Sequence, residues 1–161
     1  MKIHTRGTAA VLMAVVVANV TLGAVDSKKA EYVGGTISTI QEKAEGNLDT
    51  ATDTQMVFTP ERGKGPSLMV PYASISSLEY GQKAGRRVGV AILINPLALF
   101  SKKRKHFFTV GFKDKDGKDQ AIVLELGKDI VRTTLTVVET RSGKEIEYQD
   151  DEARKAGRGG N

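Results

Sequence analysis

The chain of 161 residues contains no cysteine and no tryptophan, and its aromatic share is only 6%. The missing cysteine removes disulfides, thiol nucleophiles and thiolate metal sites in one step. Histidine is almost as scarce: His4 lies near the N-terminus and His106 in the interior. Acidic side chains are absent from the whole stretch between Glu79 and Asp114. What remains is ordinary for a globular chain, with 40% hydrophobic and 27% charged residues. The length suits one domain that buries a real core without covalent staples.

The acid-free stretch holds the most apolar run outside the N-terminus, Val88 to Phe100, interrupted at Asn95-Pro96. Lys83, Arg86 and Arg87 precede it, and Lys102, Lys103, Arg104 and Lys105 follow it. The formal net charge of +5 is modest, so its weight lies in this concentration around residues 83–105.

The first 24 residues read as a secretory signal. Lys2 and Arg6 form a basic start, Ala9 to Val20 an apolar stretch, and Leu22-Gly23-Ala24 the cleavage region before Asp26. The expected location is therefore periplasmic or secreted, which a cysteine-free chain suits because it needs no oxidative folding. The alternative is an uncleaved leader anchoring the protein in the inner membrane, since Leu22 is large for its place before the cut.

Past the leader, the pattern predicts a β-rich domain over residues 31–148. Residues 31–42 read as a strand bent at Gly34-Gly35 and broken by Gly46-Asn47. Thr54 to Thr59 follows as a strand with Met56 and Phe58 on one face, and 60–66 is a loop by composition. Ser67 to Val70 and Ser74 to Tyr80 are further strands, with Ile75 and Leu78 as core contacts. His106 to Lys113 and Gln120 to Leu126 pair as a hairpin through Asp116-Gly117. Val131, Leu135 and Val138 share one helical face, with Asp129 as candidate N-cap and Ser142-Gly143 as the stop. Lys144 to Tyr148 adds a short extended piece, and 149–161 reads as a disordered tail.

The arrangement of Leu68-Met69-Val70-Pro71-Tyr72, Ile75 and Leu78-Glu79-Tyr80, with the Asp116-Gly117 hairpin and the helix ending at Arg141-Ser142-Gly143, resembles a pleckstrin-homology-like domain of the bacterial or GRAM type. It also resembles a group of exported bacterial proteins. The resemblance covers roughly residues 31–148. It implies a small antiparallel sandwich or barrel, mainly β, with one C-terminal α-helix, and a non-enzymatic binder of phosphoinositides or proteins. Phosphoinositide binding is not carried over, because only Lys43 stands near the loop where such domains place their basic residues.

Catalytic machinery is not legible. His106 sits among four cations, and positive neighbours lower an imidazole pKa, so it reads as a surface residue. Asp114-Lys115-Asp116-Gly117 fails as a calcium loop: with Gly117 at the sixth position, Phe112 and Val123 fall where carboxylates are needed. Gly63-Lys64-Gly65 lacks phosphate-loop spacing. Asp49 with Asp53, or Glu145 with Glu147, could pair as acids, though solvated carboxylates are the default. No cofactor and no metal are expected. Nucleic-acid binding would use the basic residues but leave the apolar run and the export signal unexplained.

Val88 to Phe100 is too short to span a bilayer, which takes about 20 residues. Two readings stay open. As core, each large side chain would contribute about 1.5–3 kcal/mol on burial. As an interfacial wedge, its basic shoulders would face anionic headgroups, each near one adding about 1 kcal/mol. The expected function is an exported, non-catalytic interaction module contacting a membrane surface or an envelope protein. Its contact residues would be Arg86, Arg87, Ile92, Leu93, Leu97, Phe100, Lys102, Lys103, Arg104 and Lys105. The alternatives are a small ligand-binding or hydrolytic barrel with acidic site residues, and a subunit that self-associates through Val88 to Phe100.

Overall fold

A computed structural model describes residues 28–81 and 105–159. The expected leader, and the run from Val88 to Phe100 with its basic neighbours up to Arg104, lie outside the described residues.

The chain builds β1 (Ala30–Gly35), β2 (Ala44–Asp49), β3 (Gln55–Pro60), β4 (Leu68–Pro71), β5 (Ile75–Gly81), β6 (Phe107–Lys113), β7 (Asp119–Leu126), α1 (Val131–Ser142), β8 (Ile146–Tyr148) and α2 (Asp151–Arg158). The strands join one curled sheet in the order β4-β3-β2-β1-β7-β6-β5-β8, a half-barrel that makes the protein mainly β. Every pairing is antiparallel except β5 with β8, which run parallel. The two hairpin halves meet where β1 pairs with β7.

Alternation decides the core. Met56 and Phe58 of β3, Leu78 and Tyr80 of β5, Phe108, Val110 and Phe112 of β6, and Ile122 and Leu124 of β7 all point into one cluster. Val131, Leu135 and Val138 of α1 close that cluster along the stripe expected for them. Gly143 stops the helix in the left-handed region at φ 66°, its N–H donating to the Glu139 carbonyl. The hairpin after β6 also forms as expected. Gly117 takes φ 76°, and Asp114 Oδ1 accepts from the N–H groups of Asp116 and Lys118 at 3.0 and 2.9 Å.

Four expectations need correction. The first strand ends at Gly35, not at residue 42. Gly35 turns there at φ 152°, and the Tyr32 hydroxyl donates to the Ile37 carbonyl at 2.9 Å, folding the following residues back. Gly34-Gly35 does mark an irregularity, since the β1–β7 register shifts between Tyr32 and Gly34. Gly46-Asn47 does not break a strand but lies inside β2, where a Cβ on Gly46 would collide with the Thr59 carbonyl; the glycine permits close strand approach.

Asp129 is not the N-cap of α1. Ile130 holds that place without a side-chain cap, because the Ile130 N–H closes a tight turn onto the Gly127 carbonyl at 3.1 Å. The tail is not disordered throughout, for Asp151–Arg158 is a second helix. Asp150 caps it, accepting from the Ala153 N–H at 2.7 Å, with acids in the first turn and Lys155 and Arg158 in the last. Its buried stripe is only Ala153 and Gly157, so a search for large apolar residues passes over it. Gly157 lies so close to the core that a Cβ would stand 2.8 Å from Tyr148 Cε1 and 3.0 Å from Leu135 Cδ1.

Arg141 fastens α1 to the β2–β3 loop. Its guanidinium donates to the Thr50 and Thr52 carbonyls, pairs with Asp53 at 2.6 Å and lies 5.7 Å from the Tyr72 ring centroid.

Candidate functional site

Strand register brings four chain ends to one pole of the sheet. Ala30 of β1 faces Leu126 of β7, Phe107 of β6 faces Glu125, and Gly81 of β5 faces Phe107. The start of β1, the end of β5, the start of β6 and the end of β7 are therefore neighbours. The chain leaves the sheet after Gly81 and rejoins it at Phe107, the residue that adjacent strands hold opposite Gly81. The chain preceding Lys28 joins at the same pole.

Of the ten residues expected to make contact, Arg86, Arg87, Ile92, Leu93, Leu97, Phe100, Lys102, Lys103 and Arg104 lie outside the described residues. Lys105 is described. Its Nζ stands 2.5 Å from Glu125 Oε2, and the two side chains are only 20% and 6% exposed. The same ammonium lies 6.0 Å from the Phe107 ring centroid. Lys105 therefore folds back against the sheet instead of facing solvent, and its charge is matched by a desolvated carboxylate.

His106, the next residue, is half-buried rather than a surface group. Its Nδ1 lies 2.6 Å from the Tyr80 hydroxyl, and the two rings stack with centroids 6.2 Å apart. Tyr148 meets the other edge of Tyr80 at 6.0 Å. Burial pushes the His106 imidazole pKa down, opposed by the charge of Glu125. The direction is the one expected from the sequence, but its cause is desolvation rather than neighbouring cations. Burial also pushes the Tyr80 phenol up to about 12. At neutral pH a protonated phenol thus faces a neutral ring, and the imidazole tautomer sets which of the two donates.

Beside this pair opens a cleft of about 400 Å³ lined by His106, Lys128, Asp129, Val131, Arg132 and Ala156. Lys128 and Arg132 are exposed. The cleft combines two cations, one carboxylate and a weakly basic imidazole, a lining suited to polar contact. A nucleophile–base–orienter relay needs a hydroxyl on one ring nitrogen and an orienting acceptor on the other. Among the described residues His106 meets the Tyr80 phenol through Nδ1.

The acidic candidates are used separately. Asp49 Oδ1 accepts from the Ala51 N–H at 2.7 Å, and Asp53 pairs with Arg141. Glu145 and Glu147 are exposed around β8. Among the described residues no group of three or more His, Asp or Glu side chains could hold a metal ion. Among them, too, no helix is long and apolar enough to cross a membrane.

The Tyr80–His106 and Lys105–Glu125 pairs escaped the sequence reading, because they join residues 26 and 20 positions apart. A signal was nevertheless present. Phe107 falls on the face of β6 opposite Phe108, and Val123 opposite Leu124, so neither strand has the polar outer face of a half-solvated sheet. Comparison with protein-family models and with curated proteins finds no match for this sequence.

Proposed function

We propose that the protein is an exported, non-catalytic interaction module of pleckstrin-homology-like architecture. In this reading it contacts an anionic membrane surface through the basic-flanked segment rooted at the β5–β6 end of its sheet. The curled sheet closed by C-terminal helices is compatible with that architecture. One observation carries the functional reading: Gly81 and Phe107 are paired, so both roots of the segment stand at one pole. The chain before Lys28 joins the sheet at the same pole, where Ala30 pairs with Leu126.

Lys105 is engaged by Glu125, which leaves Lys83, Arg86, Arg87, Lys102, Lys103 and Arg104 as the cations for headgroups. Each one near the surface adds about 1 kcal/mol at low salt. The test is flotation with vesicles containing anionic lipid, comparing the wild type with a variant carrying Lys102→Glu, Lys103→Glu and Arg104→Glu. Lys105 is kept, so that the pair with Glu125 survives. The variant is expected to stay in the dense fraction while the wild type floats. Equal flotation of the two proteins, or none by either, would remove the membrane reading and turn attention to an envelope protein as partner.

A further inference from the structure

The sheet buries residues on both sides, and only one side has a described partner. On the inner side lie the core cluster and the helices: α1 contributes Leu135, and α2 brings Gly157 against Tyr80 and Leu135. On the outer side, Phe107 and Thr109 of β6 and Ala121, Val123 and Glu125 of β7 are 0–4% exposed, with Glu79 of β5 at 7%. Register places them together, since Phe107 faces Glu125, Thr109 faces both Val123 and Glu79, and Gly111 faces Ala121. Phe107, Ala121 and Val123 take no part in the core cluster. Neither helix packs on this outer side: the main contacts of α1 run to α2 and to the 3-10 turn at Tyr72–Ser74, and those of α2 to α1, β5 and β8.

The chemistry of this face is specific. An apolar centre (Phe107, Ala121, Val123) is bordered by three carboxylates, Glu31, Glu79 and Glu125. Glu79 Oε1 accepts from Gln149 Nε2 at 3.1 Å, whereas Glu79 Oε2 is buried without a hydrogen-bond partner among the described residues. Burial, and next the charge of Glu125, hold the Glu31 carboxyl above its ordinary range. A largely buried acidic rim around a greasy centre calls for a greasy ligand with a cation where it meets the rim.

We infer that this outer face is the docking surface for the chain's own segment from Val88 to Phe100, with Lys105 at its root on the carboxylate rim. Three observations favour this occupant. Both roots of the segment stand at the edge of the face, since Gly81 pairs with Phe107. Lys105 already lies across it, paired with Glu125 and resting on Phe107. Reach is sufficient too. The 13 residues from Val88 to Phe100 span roughly 20 Å even as a helix, and β5 to β1 measures roughly 14 Å. The leader also joins at this pole, but its cations, Lys2 and Arg6, sit at its far end. The inference deepens the proposed function by assigning the apolar middle to the protein and leaving the outer charges of the segment to the membrane.

Because the chain has no cysteine, Thr109→Cys places a single thiol at the centre of the face. In the full chain, maleimide labelling of that thiol should be slow and should accelerate roughly tenfold or more when Leu93→Asp and Leu97→Asp are added. A core-side thiol, Val110→Cys, should stay slow in the same background, which separates local exposure from unfolding. Acceleration by Val15→Asp with Val16→Asp in the leader instead, no acceleration by either pair, or protection lost on dilution would overturn the inference. The last two results point to another cover or to a second copy. If Leu93→Asp with Leu97→Asp unfolds the domain, mild oxidation decides. Thr109→Cys combined in turn with Ile92→Cys, Leu93→Cys or Leu97→Cys should cross-link within a monomer in at least one case. Failure of all three, or dimers only, overturns the inference, and neither result bears on vesicle flotation by the basic flanks.

Discussion

His106 and Glu31 sit on opposite sides of the linkage between proton binding and stability. Burial lowers the His106 pKa below its ordinary 6.5, so between those two values the unfolded chain binds more protons than the folded one. The stability held by the neutral imidazole is complete above pH about 6.5 and is lost as the pH falls towards the folded pKa. NMR titration of the imidazole is expected to give a midpoint below 6.5; one at or above that value would contradict the burial seen around Tyr80. Glu31 is the reverse case. Its pKa is raised above 4.5, so its stabilisation is present below that pH and is lost as the pH climbs through the folded value. Glu31→Gln is therefore expected to raise the urea midpoint at pH 7 and to lose that advantage below pH about 4.5. Equal gains at both pH values would mean that ionisation is not the cause.

Among the elements, α2 stands on two features of contrasting size. The Asp150 cap satisfies the Ala153 N–H, and Asp150→Ala is expected to cost about 1 kcal/mol, seen as faster amide exchange confined to residues 151–158. Gly157 has no room for a side chain. Gly157→Leu should displace the helix from Tyr80 and Leu135 and abolish its exchange protection altogether. If exchange in α2 is fast in the wild type and unchanged in both variants, the helix does not pack as described. In α1, Leu135 fills the core between sheet and helix. Leu135→Ala is expected to cost about 2–5 kcal/mol in denaturant unfolding, and a loss below about 1 kcal/mol would show that the site collapses freely.

Taken as a whole, the described sheet is polar in the geometric sense, because the start of β1, the end of β5, the start of β6 and the end of β7 share one pole. A contact made by six cations is screened by salt. Vesicle flotation is therefore expected to fall steeply between about 0.05 and about 0.5 M salt, as the Debye length shrinks below side-chain distances. Flotation indifferent to salt would assign the contact to apolar insertion alone. At this scale sequence and structure also part company. Strand and helix identities followed local rules: Met56 and Phe58 alternate with polar neighbours, Asp116-Gly117 sets a turn, and Val131, Leu135 and Val138 share one face. The β5–β8 parallel pairing, the glycine inside β2 and the second helix did not. Each depends on a partner distant in sequence (Ile146 on Leu78, Gly46 on Thr59, Gly157 on Tyr80) that no local window contains.

The sequence by itself determined the chemistry available: no thiol, one interior histidine, a leader pattern and a greasy run between cationic shoulders. It also determined most of the β character, because alternation and turn residues act over a few bonds. Only the tertiary structure decided which groups meet. Strand register set Gly81 beside Phe107, Lys105 on Glu125 and Tyr80 on His106. Register is fixed by how whole strands bury their faces against one another, a property of the assembled sheet rather than of any stretch of chain.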